Sequence, residues 1–292
     1  MTRQVEDPAL RYTLACRAAA ETVIRGYSTS FALASRMLAP QTRPHVAAIY
    51  ALARVGDEIV DGAFDTRGGQ PGELLDVLHS ETLDAIDRGY STNPVVHAFA
   101  DTAREHGIGR TQVDPFFASM RMDLDVTEHD AESLARYIHG SAEVIGEMCL
   151  RCFDGGSVAD DPAMTLGARA LGAAFQKVNF LRDLREDHVE LGRNYLPGRD
   201  PARLTDADLH ELADDIDSDL RTARLSIDRI PGRDRRAVLA AHDLFAELNR
   251  RLRAAGASRV RAGRVRVPDT VKLRVVIRAA ASANAATGKG SR

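Results

Sequence analysis

Four polar side chains share one face of a predicted helix in the first quarter of this 292-residue chain. Within residues 47–61 (AAIYALARVGDEIVD), the helical period places Tyr50, Arg54, Asp57 and Asp61 on a single stripe. Isoleucine, leucine and valine flank this stripe, so it is predicted to border the hydrophobic core rather than to face open solvent.

A second stripe of the same kind lies in the other half of the chain. Within residues 173–187 (AAFQKVNFLRDLRED), helical spacing aligns Gln176, Asn179, Asp183 and Asp187 beside another apolar set. A lone pair of aspartates one turn apart is typical of a solvated face, where the repulsion costs only a few tenths of a kcal/mol. Two such pairs, each continued by further polar residues, indicate that the polar faces of the two helices meet in the folded protein.

Carboxylates brought together in this way need cations or strongly raised pKa values. Aspartate and asparagine oxygens suit Mg²⁺, which keeps several waters and is completed by substrate phosphate oxygens. The sequence therefore predicts a diphosphate held between two aspartate pairs by bridging Mg²⁺, with Mn²⁺ as the alternative ion.

Other metal and nucleotide sites are disfavoured by residue spacing. A di-iron carboxylate bundle needs Glu-x-x-His on two helices, and none of the nine histidines follows a glutamate at that distance. No phosphate-binding loop, zinc-protease motif, nucleophile elbow or dinucleotide fingerprint occurs. Cys149 and Cys152 lack matching partner ligands and are interpreted as buried or half-buried thiols without a chemical role.

The elements that carry the two stripes are predicted to be helices throughout. Apolar residues recur at three- and four-residue spacing along nearly the whole chain, so the predicted fold class is all-α. Without a long linker or repeat, residues 1–280 are predicted to form one helical domain, followed by a disordered tail over residues 281–292. Helix starts are predicted at Asp7-Pro8, Thr42-Arg43-Pro44, Asp130 and Thr205.

Composition favours a globular, cytoplasmic protein. The chain is 44% hydrophobic and 28% charged, and no stretch reaches the ~18 apolar residues of a membrane-spanning helix. The acidic N-terminal segment has no apolar core of the signal-peptide type. A net charge of -3 and the lack of aromatics among the arginines of residues 250–278 disfavour nucleic-acid binding, so these arginines are expected on a solvated face.

Four segments together resemble the squalene and phytoene synthase family. They are YSTSF at residues 27–31, AIYALARVGDEIVD at 48–61, QKVNFLRDLRED at 176–187 and GRNYLP at 192–197. DEIVD and FQKVNFLRD are more similar to bacterial phytoene synthases than to squalene synthases. The resemblance implies a helical bundle of the isoprenoid synthase type with a central substrate cavity.

Roles for individual residues follow from the resemblance. It implies that four catalytic aspartates, Asp57, Asp61, Asp183 and Asp187, form an acidic wall. It also implies catalytic roles for Arg54, as a fork-shaped phosphate donor, and for Tyr137, which would guide cations or protons. The implied metal ligands are Asp57, Asp61, Asn179, Asp183 and Asp187. The implied substrate contacts are Tyr27, Ser28, Thr29, Ser30, Tyr50, Arg54, Gln176 and Arg182. The chain departs from the family at residues 141–143, where Ser-Ala-Glu replaces Val-Ala-Gly, and it matches family positions less clearly at Phe245 and Arg264.

The implied reaction joins two geranylgeranyl diphosphates head to head, through a cyclopropyl diphosphate, to phytoene in carotenoid biosynthesis. Diphosphate is released and no NADPH is expected. Two alternatives stay open: a C30 dehydrosqualene or squalene synthase using farnesyl diphosphate, and a non-catalytic assembly factor, which the intact aspartates disfavour. The expected partners are prenyl diphosphates, and a hydrocarbon product favours peripheral association with the inner face of the membrane. The sequence does not determine the oligomeric state.

Overall fold

The structure is a computed structural model that describes residues 7–27, 29–62 and 70–287, excluding the side chains of residues 29–31 and 281–287. Thirteen α-helices and no β-strand occur within these residues, which confirms the all-α prediction. The helices are α1 Pro8–Tyr27, α2 Thr29–Ser35, α3 Arg43–Val60, α4 Pro71–Arg88, α5 Pro94–His106, α6 Arg110–Asp125, α7 Ala131–Ile138, α8 Val144–Arg151, α9 Pro162–Arg182, α10 Asp206–Ile227, α11 Gly232–Ala255, α12 Ala257–Ala262 and α13 Asp269–Thr287. Short π-helical segments cover His139–Glu143 and Glu186–Glu190, and 3₁₀ turns cover Phe153–Gly156 and Pro201–Arg203.

Helix starts coincide with the predicted capping residues. The Asp130 carboxylate accepts a hydrogen bond from the Ser133 amide at 2.7 Å and begins α7. Thr205 and Asp208 form a reciprocal capping box at the start of α10. Thr42 precedes α3 without capping it, and its hydroxyl instead donates to Asp234 at 2.9 Å. This contact fastens the start of α3 to α11.

The core of the first half surrounds α3. Ile49 and Leu52 of this helix are buried with Phe99 of α5 and with Phe116 and Phe117 of α6. This packing buries the apolar face of α3 and leaves its polar stripe on another side of the helix. The stripe is therefore held by a rigid, well-packed element.

The core of the second half surrounds α9. Val178 and Leu181 are buried together with residues of α10 and α11, including Leu209, Ile216 and Leu252. On another side of α9, a Cβ added at Gly172 would lie 2.4 Å from the carbonyl oxygen of Ala142. Glycine thus allows α9 to approach the His139–Glu143 segment more closely than any other residue could.

The second polar stripe does not lie on one continuous helix, contrary to the prediction for residues 173–187. Helix α9 ends at Arg182, and Asp183 leaves helical geometry with φ −102° and ψ 8°. The hydrogen bonding continues nevertheless: the Asp183 amide donates to Asn179 O at 2.8 Å, and the Asp187 amide donates to Asp183 O at 3.0 Å. Asp183 and Asp187 therefore remain one helical turn apart although the α-helix ends at Arg182.

The C-terminal helix reaches beyond the predicted domain boundary. Helix α13 extends to Thr287, so residues 281–287 of the predicted tail have a helical backbone. Residues 288–292 lie outside the described residues. None of the helices over the described ranges combines the length and apolarity needed to cross a membrane.

Candidate active site

Parts of both polar stripes line one cavity of about 940 Å³. Most of the remaining lining is apolar and comes from the small and aliphatic side chains of the surrounding helices. One end of the cavity wall is therefore polar and the rest is apolar. The stripe residues that line it are Tyr50, Arg54 and Asp57 from α3 and Gln176 and Asn179 from α9, and Arg182 lines it beside them. Asp61, Asp183 and Asp187 are not among the described residues that line it.

Arg54 is held between an aromatic ring and two acids. Its guanidinium lies 4.6 Å from the centroid of the Tyr27 ring, and its Nη1 lies 3.6 Å from Asp57 Oδ2. Glu58, which helical spacing places away from the centre of the stripe, nevertheless accepts a hydrogen bond from Arg54 Nη2. Arg54 Nε is buried and has no hydrogen-bond partner among the described residues. This donor is available to a ligand in the cavity.

Asp57 is poised between its two protonation states at neutral pH. Its side chain is 40% exposed, and it lines the cavity. Loss of hydration raises the pKa of Asp57 to about 7, with further upward contributions from Asp61 and Asp123 and an opposing one from Arg54. A cation bound beside Asp57 would favour the ionised form.

Arg193 joins the two aspartate motifs. Its Nη1 donates to Asp61 Oδ1 at 2.9 Å, its Nη2 donates to Val60 O at 2.7 Å, and its backbone amide donates to Asp187 O at 2.8 Å. The residue is only 8% exposed. Arg193 therefore fixes the end of α3 against the loop that follows Asp187.

The pKa of Asp187 is raised by burial and by acidic residues of both motifs. Burial raises the pKa of its carboxyl to about 7, Asp183 and Asp61 raise it further, and Arg193 opposes the shift. This electrostatic coupling shows that the aspartates of the two motifs lie close enough to repel each other.

Asp183 is paired with two arginines. Arg182 Nε donates to it at 3.0 Å, and Arg264 Nε lies 2.8 Å from its Oδ1. Arg182, predicted to contact substrate diphosphate, thus contacts the acidic motif here. Arg264, the less clear family match, lies at the site and also lines the cavity.

Asp123 is an acidic residue beside the acidic wall, and the sequence analysis missed it. It accepts hydrogen bonds from the hydroxyls of Tyr137 at 2.9 Å and Tyr195 at 2.6 Å. Burial raises the pKa of Asp123 to about 6, against the effects of Arg193 and the two tyrosine hydrogen bonds. Its spacing from Phe116 and Met120 on α6 indicates a core-facing aspartate, and that pattern could have identified it.

Tyr137 lies behind the acidic wall. Its side chain is buried and is not among the described residues that line the cavity. Burial raises the pKa of Tyr137 well above its usual value of 10, so the hydroxyl keeps its proton. The predicted role in guiding cations or protons would therefore have to act through Asp123 in this arrangement.

The remaining predicted positions are only partly described. Ser28 lies outside the described residues, as do the side chains of Thr29 and Ser30, whose backbone begins α2. Phe245 lines the cavity and stacks on Phe175 with ring centroids 3.8 Å apart. Ser141, at the position that departs from the family pattern, also lines the cavity.

The donor set fits a magnesium site completed by phosphate. Asn179 Oδ1 is buried and has no hydrogen-bond partner among the described residues, as expected of an oxygen reserved for a cation. Over the same residues, no three of the four motif aspartates have carboxylate oxygens within 4.8 Å of one another. Mg²⁺ typically takes one or two protein carboxylates and completes its shell with water and phosphate, so this spacing suits an ion bridging to a diphosphate.

Comparisons with known proteins show which proteins this chain resembles. The phytoene synthase of Mycobacterium bovis is 35% identical over 187 residues, which cover 63% of this chain and 58% of that protein. The 15-cis-phytoene synthase of a Paracoccus species is 27% identical over 253 residues, covering 81% of each chain.

Solved structures show the same fold. A dehydrosqualene synthase superposes with a TM-score of 0.78 at 22% identity, covering 96% of this chain and 100% of the other. A squalene synthase from Alicyclobacillus acidocaldarius gives 0.72 at 20% identity, covering 88% and 100%. The sequence model for squalene/phytoene synthase matches residues 24–270. The chain therefore belongs to the squalene/phytoene synthase family.

Proposed function

We propose that this protein condenses two geranylgeranyl diphosphates head to head to phytoene, with Mg²⁺ bound by the two aspartate motifs. The observation that carries the proposal is the joint lining of one cavity by Arg54, Asp57, Gln176 and Asn179, opposite mostly apolar walls. A prenyl diphosphate has the matching division into a charged head and an apolar chain. The curated relatives reported above are phytoene synthases.

The acidic wall would hold the diphosphate through metal. Asp57, Asp61, Asp183 and Asp187 supply carboxylate oxygens, and Asn179 adds the buried amide oxygen that lacks a partner. Bound Mg²⁺ would stabilise the negative charge that develops on the departing diphosphate. Arg182 and Arg264 contact Asp183 in the structure. Their guanidinium groups would bind phosphate oxygens once substrate is present.

Arg54 is placed to contact the leaving group directly. Its unpartnered Nε is buried beside Asp57, and the Tyr27 ring restrains its guanidinium plane. A guanidinium binds phosphate through two parallel hydrogen bonds, so a preoriented arginine contributes more than a flexible lysine would. Ionisation of the first substrate leaves an allylic cation, which the double bond of the second substrate attacks.

The walls of the cavity protect that cation. Leu171 and Phe175 of α9, Ile145 of α8 and Leu244 of α11 are among the lining residues, and none of them offers a nucleophile. Exclusion of water prevents the cations from being quenched before the cyclopropyl diphosphate forms and rearranges. Tyr137 donates a 2.9 Å hydrogen bond to Asp123, whose negative charge contributes, together with burial, to the raised pKa of Asp57.

A competition experiment tests the chain length of the substrate. Equal concentrations of geranylgeranyl and farnesyl diphosphate are supplied with Mg²⁺, and the hydrocarbons are identified by mass. A C40 product is expected. A clear preference for C30 would move the protein to the dehydrosqualene or squalene synthases, and the absence of any product from either substrate would favour the assembly-factor alternative.

A further inference from the structure

A second cluster of metal-ligating side chains lies where the start of α3 meets the end of α5. His45 belongs to the first turn of α3, and Glu105 and His106 end α5. One nitrogen from each imidazole and one carboxylate oxygen lie within 4.8 Å of one another. His45 precedes Asp57 by roughly 18 Å along the axis of α3, at about 1.5 Å per residue, so this cluster is separate from the diphosphate site.

Thr102 supports the tautomer of His45 that a metal site needs. Its hydroxyl lies 3.0 Å from Ala98 O and 3.0 Å from His45 Nδ1. When the hydroxyl donates its single proton to the carbonyl, it accepts from a protonated Nδ1, and Nε2 then carries the lone pair. That Nε2 lies 3.6 Å from Glu105 Oε1, so in this tautomer one cation can bind both atoms.

His106 adds an unsatisfied nitrogen to the same point. Its side chain is 9% exposed, and its Nε2 lies 3.9 Å from Glu105 Oε1. That Nε2 is buried and has no hydrogen-bond partner among the described residues. The two imidazoles meet edge to face with centroids 4.4 Å apart. A buried polar nitrogen without a partner is unfavourable, and a bound cation would satisfy it.

Arg17 orients the carboxylate. Its Nη2 donates to Glu105 Oε2 at 3.2 Å and to Asp101 Oδ2 at 2.6 Å. Glu105 Oε1 is thereby left to face the imidazoles. Asp101 balances the charge of Arg17, so Glu105 contributes a net negative charge to the cluster. The C-terminal end of α5 adds partial negative charge, which also favours a cation.

We infer that His45, Glu105 and His106 bind a divalent transition-metal cation of the zinc class. With metal–ligand bonds of ~2.0–2.1 Å in tetrahedral geometry, neighbouring ligand atoms lie roughly 3.3–3.5 Å apart. The observed 3.6 Å and 3.9 Å separations need only small shifts. Imidazole and carboxylate together suit zinc better than magnesium. The bound cation joins α3 to α5 and stabilises the helix that carries Arg54 and Asp57.

Zinc titration of the tag-free, metal-free protein tests this site. Excess Mg²⁺ is present throughout, so that the aspartate motifs are occupied, and a chromophoric chelator reports the free zinc. We expect one tight equivalent per chain and a melting temperature that rises with zinc. Glu105→Gln and His106→Gln should each weaken binding by more than the roughly 10- to 100-fold typical of losing a supporting hydrogen bond to a ligand.

Matched variants distinguish this site from others. His79→Gln removes a histidine that pairs with Asp114 instead, and Asp57→Asn alters the diphosphate site; both should bind zinc as the unmodified protein does. The Glu105 side chain is 52% exposed, so Glu105→Gln should fold even if His106→Gln does not. The inference is overturned if zinc does not bind, if it binds Glu105→Gln with unchanged affinity, or if binding is lost in Cys149→Ser but kept in Glu105→Gln.

Discussion

Arg193 Nη1 donates to Asp61 Oδ1 at 2.9 Å and links two motifs that are far apart in the sequence. The same side chain donates to Val60 O, and its backbone amide binds Asp187 O. The buried Arg193 therefore links Asp61 of the first motif to Asp187 of the second. The GRNYLP segment, which resembles the family, has a physical role here: it joins the end of α3 to the chain after α9.

Arg193→Gln should weaken both folding and catalysis. The substitution leaves Val60 O without its donor and removes the cation beside Asp61, and we expect a loss of about 2 kcal/mol. For a chain of this size that corresponds to a fall in melting temperature of roughly 4–8 °C. Thermal unfolding and steady-state kinetics measure the two effects.

An exposed arginine that precedes Asp187, Arg185, provides the control. Arg185→Gln should change stability by less than ~0.5 kcal/mol. Equal behaviour of the two variants would contradict the linking role.

Asp57→Asn should abolish turnover without damaging the fold. The carboxylate is lost from the metal-binding wall, and we expect a fall in kcat of more than ~100-fold. The melting temperature of the metal-free protein should stay the same or rise, because a carboxylate repelled by its neighbours has been neutralised. Circular dichroism checks the helix content. Asp84→Asn on α4 is the control, since this aspartate is 69% exposed.

Asp183→Asn should also stop turnover, but it should lower stability. Arg182 and Arg264 both contact this carboxylate, so its removal leaves two guanidiniums without their partner. Thermal unfolding of both variants in EDTA compares the two aspartates. The melting temperature should fall for Asp183→Asn and stay the same or rise for Asp57→Asn. Full activity in either variant would remove that residue from the proposed metal site.

The stability of the metal-free protein should depend on pH through Asp187. Its pKa is raised from 3.8 to about 7, so between these values the folded chain keeps a proton that the unfolded chain has lost. This contribution to stability is complete below pH 4 and disappears as the pH rises through 7. Asp187→Asn should therefore raise the melting temperature at pH 8 by about 2–4 °C, for ~1 kcal/mol, and change it little at pH 4. Equal shifts at both pH values would contradict this assignment.

The helical period accounted for much of the site because it needs only local geometry. It identified the stripe from Tyr50 to Asp57 and that from Gln176 to Asn179, and the structure brings both to one cavity. It could not reveal the break at Asp183, because the helical spacing of apolar and polar residues continues through Leu184 and Asp187. Asp123 was missed because it belongs to no paired aspartate motif, and its spacing from the core residues Phe116 and Met120 was the one available signal. Its partners Tyr137 and Tyr195 are adjacent only in space.

Helix α13 provides a test of peripheral membrane association. Leu273 is 54% exposed and Ile277 is 59% exposed one turn later, beside exposed Arg274 and Arg278. The start of the same helix borders the cavity at Asp269 and Lys272. An exposed apolar pair flanked by arginines, on a helix that borders the cavity, suits contact with an anionic bilayer surface.

Liposome flotation measures this association. The protein should float with anionic vesicles at low salt, and the double substitution Leu273→Ser and Ile277→Ser should reduce the bound fraction several-fold. Leu225→Ser is the control, because Leu225 is 76% exposed on α10. Equal flotation of both variants would place the contact elsewhere on the protein, and no flotation at all would exclude the bilayer as the route for product release.

The central claim is most directly tested by analysing the product formed from geranylgeranyl diphosphate alone. Phytoene formation ends with loss of a proton, whereas squalene formation ends with hydride transfer from a reduced nicotinamide. Incubation with Mg²⁺ and without NADPH should give a C40 hydrocarbon with a central triene, and added NADPH should change neither the rate nor the mass. EDTA should stop the reaction, and Mg²⁺ should restore it. A strict requirement for NADPH, or a reaction that proceeds unchanged in EDTA, would contradict the proposed chemistry.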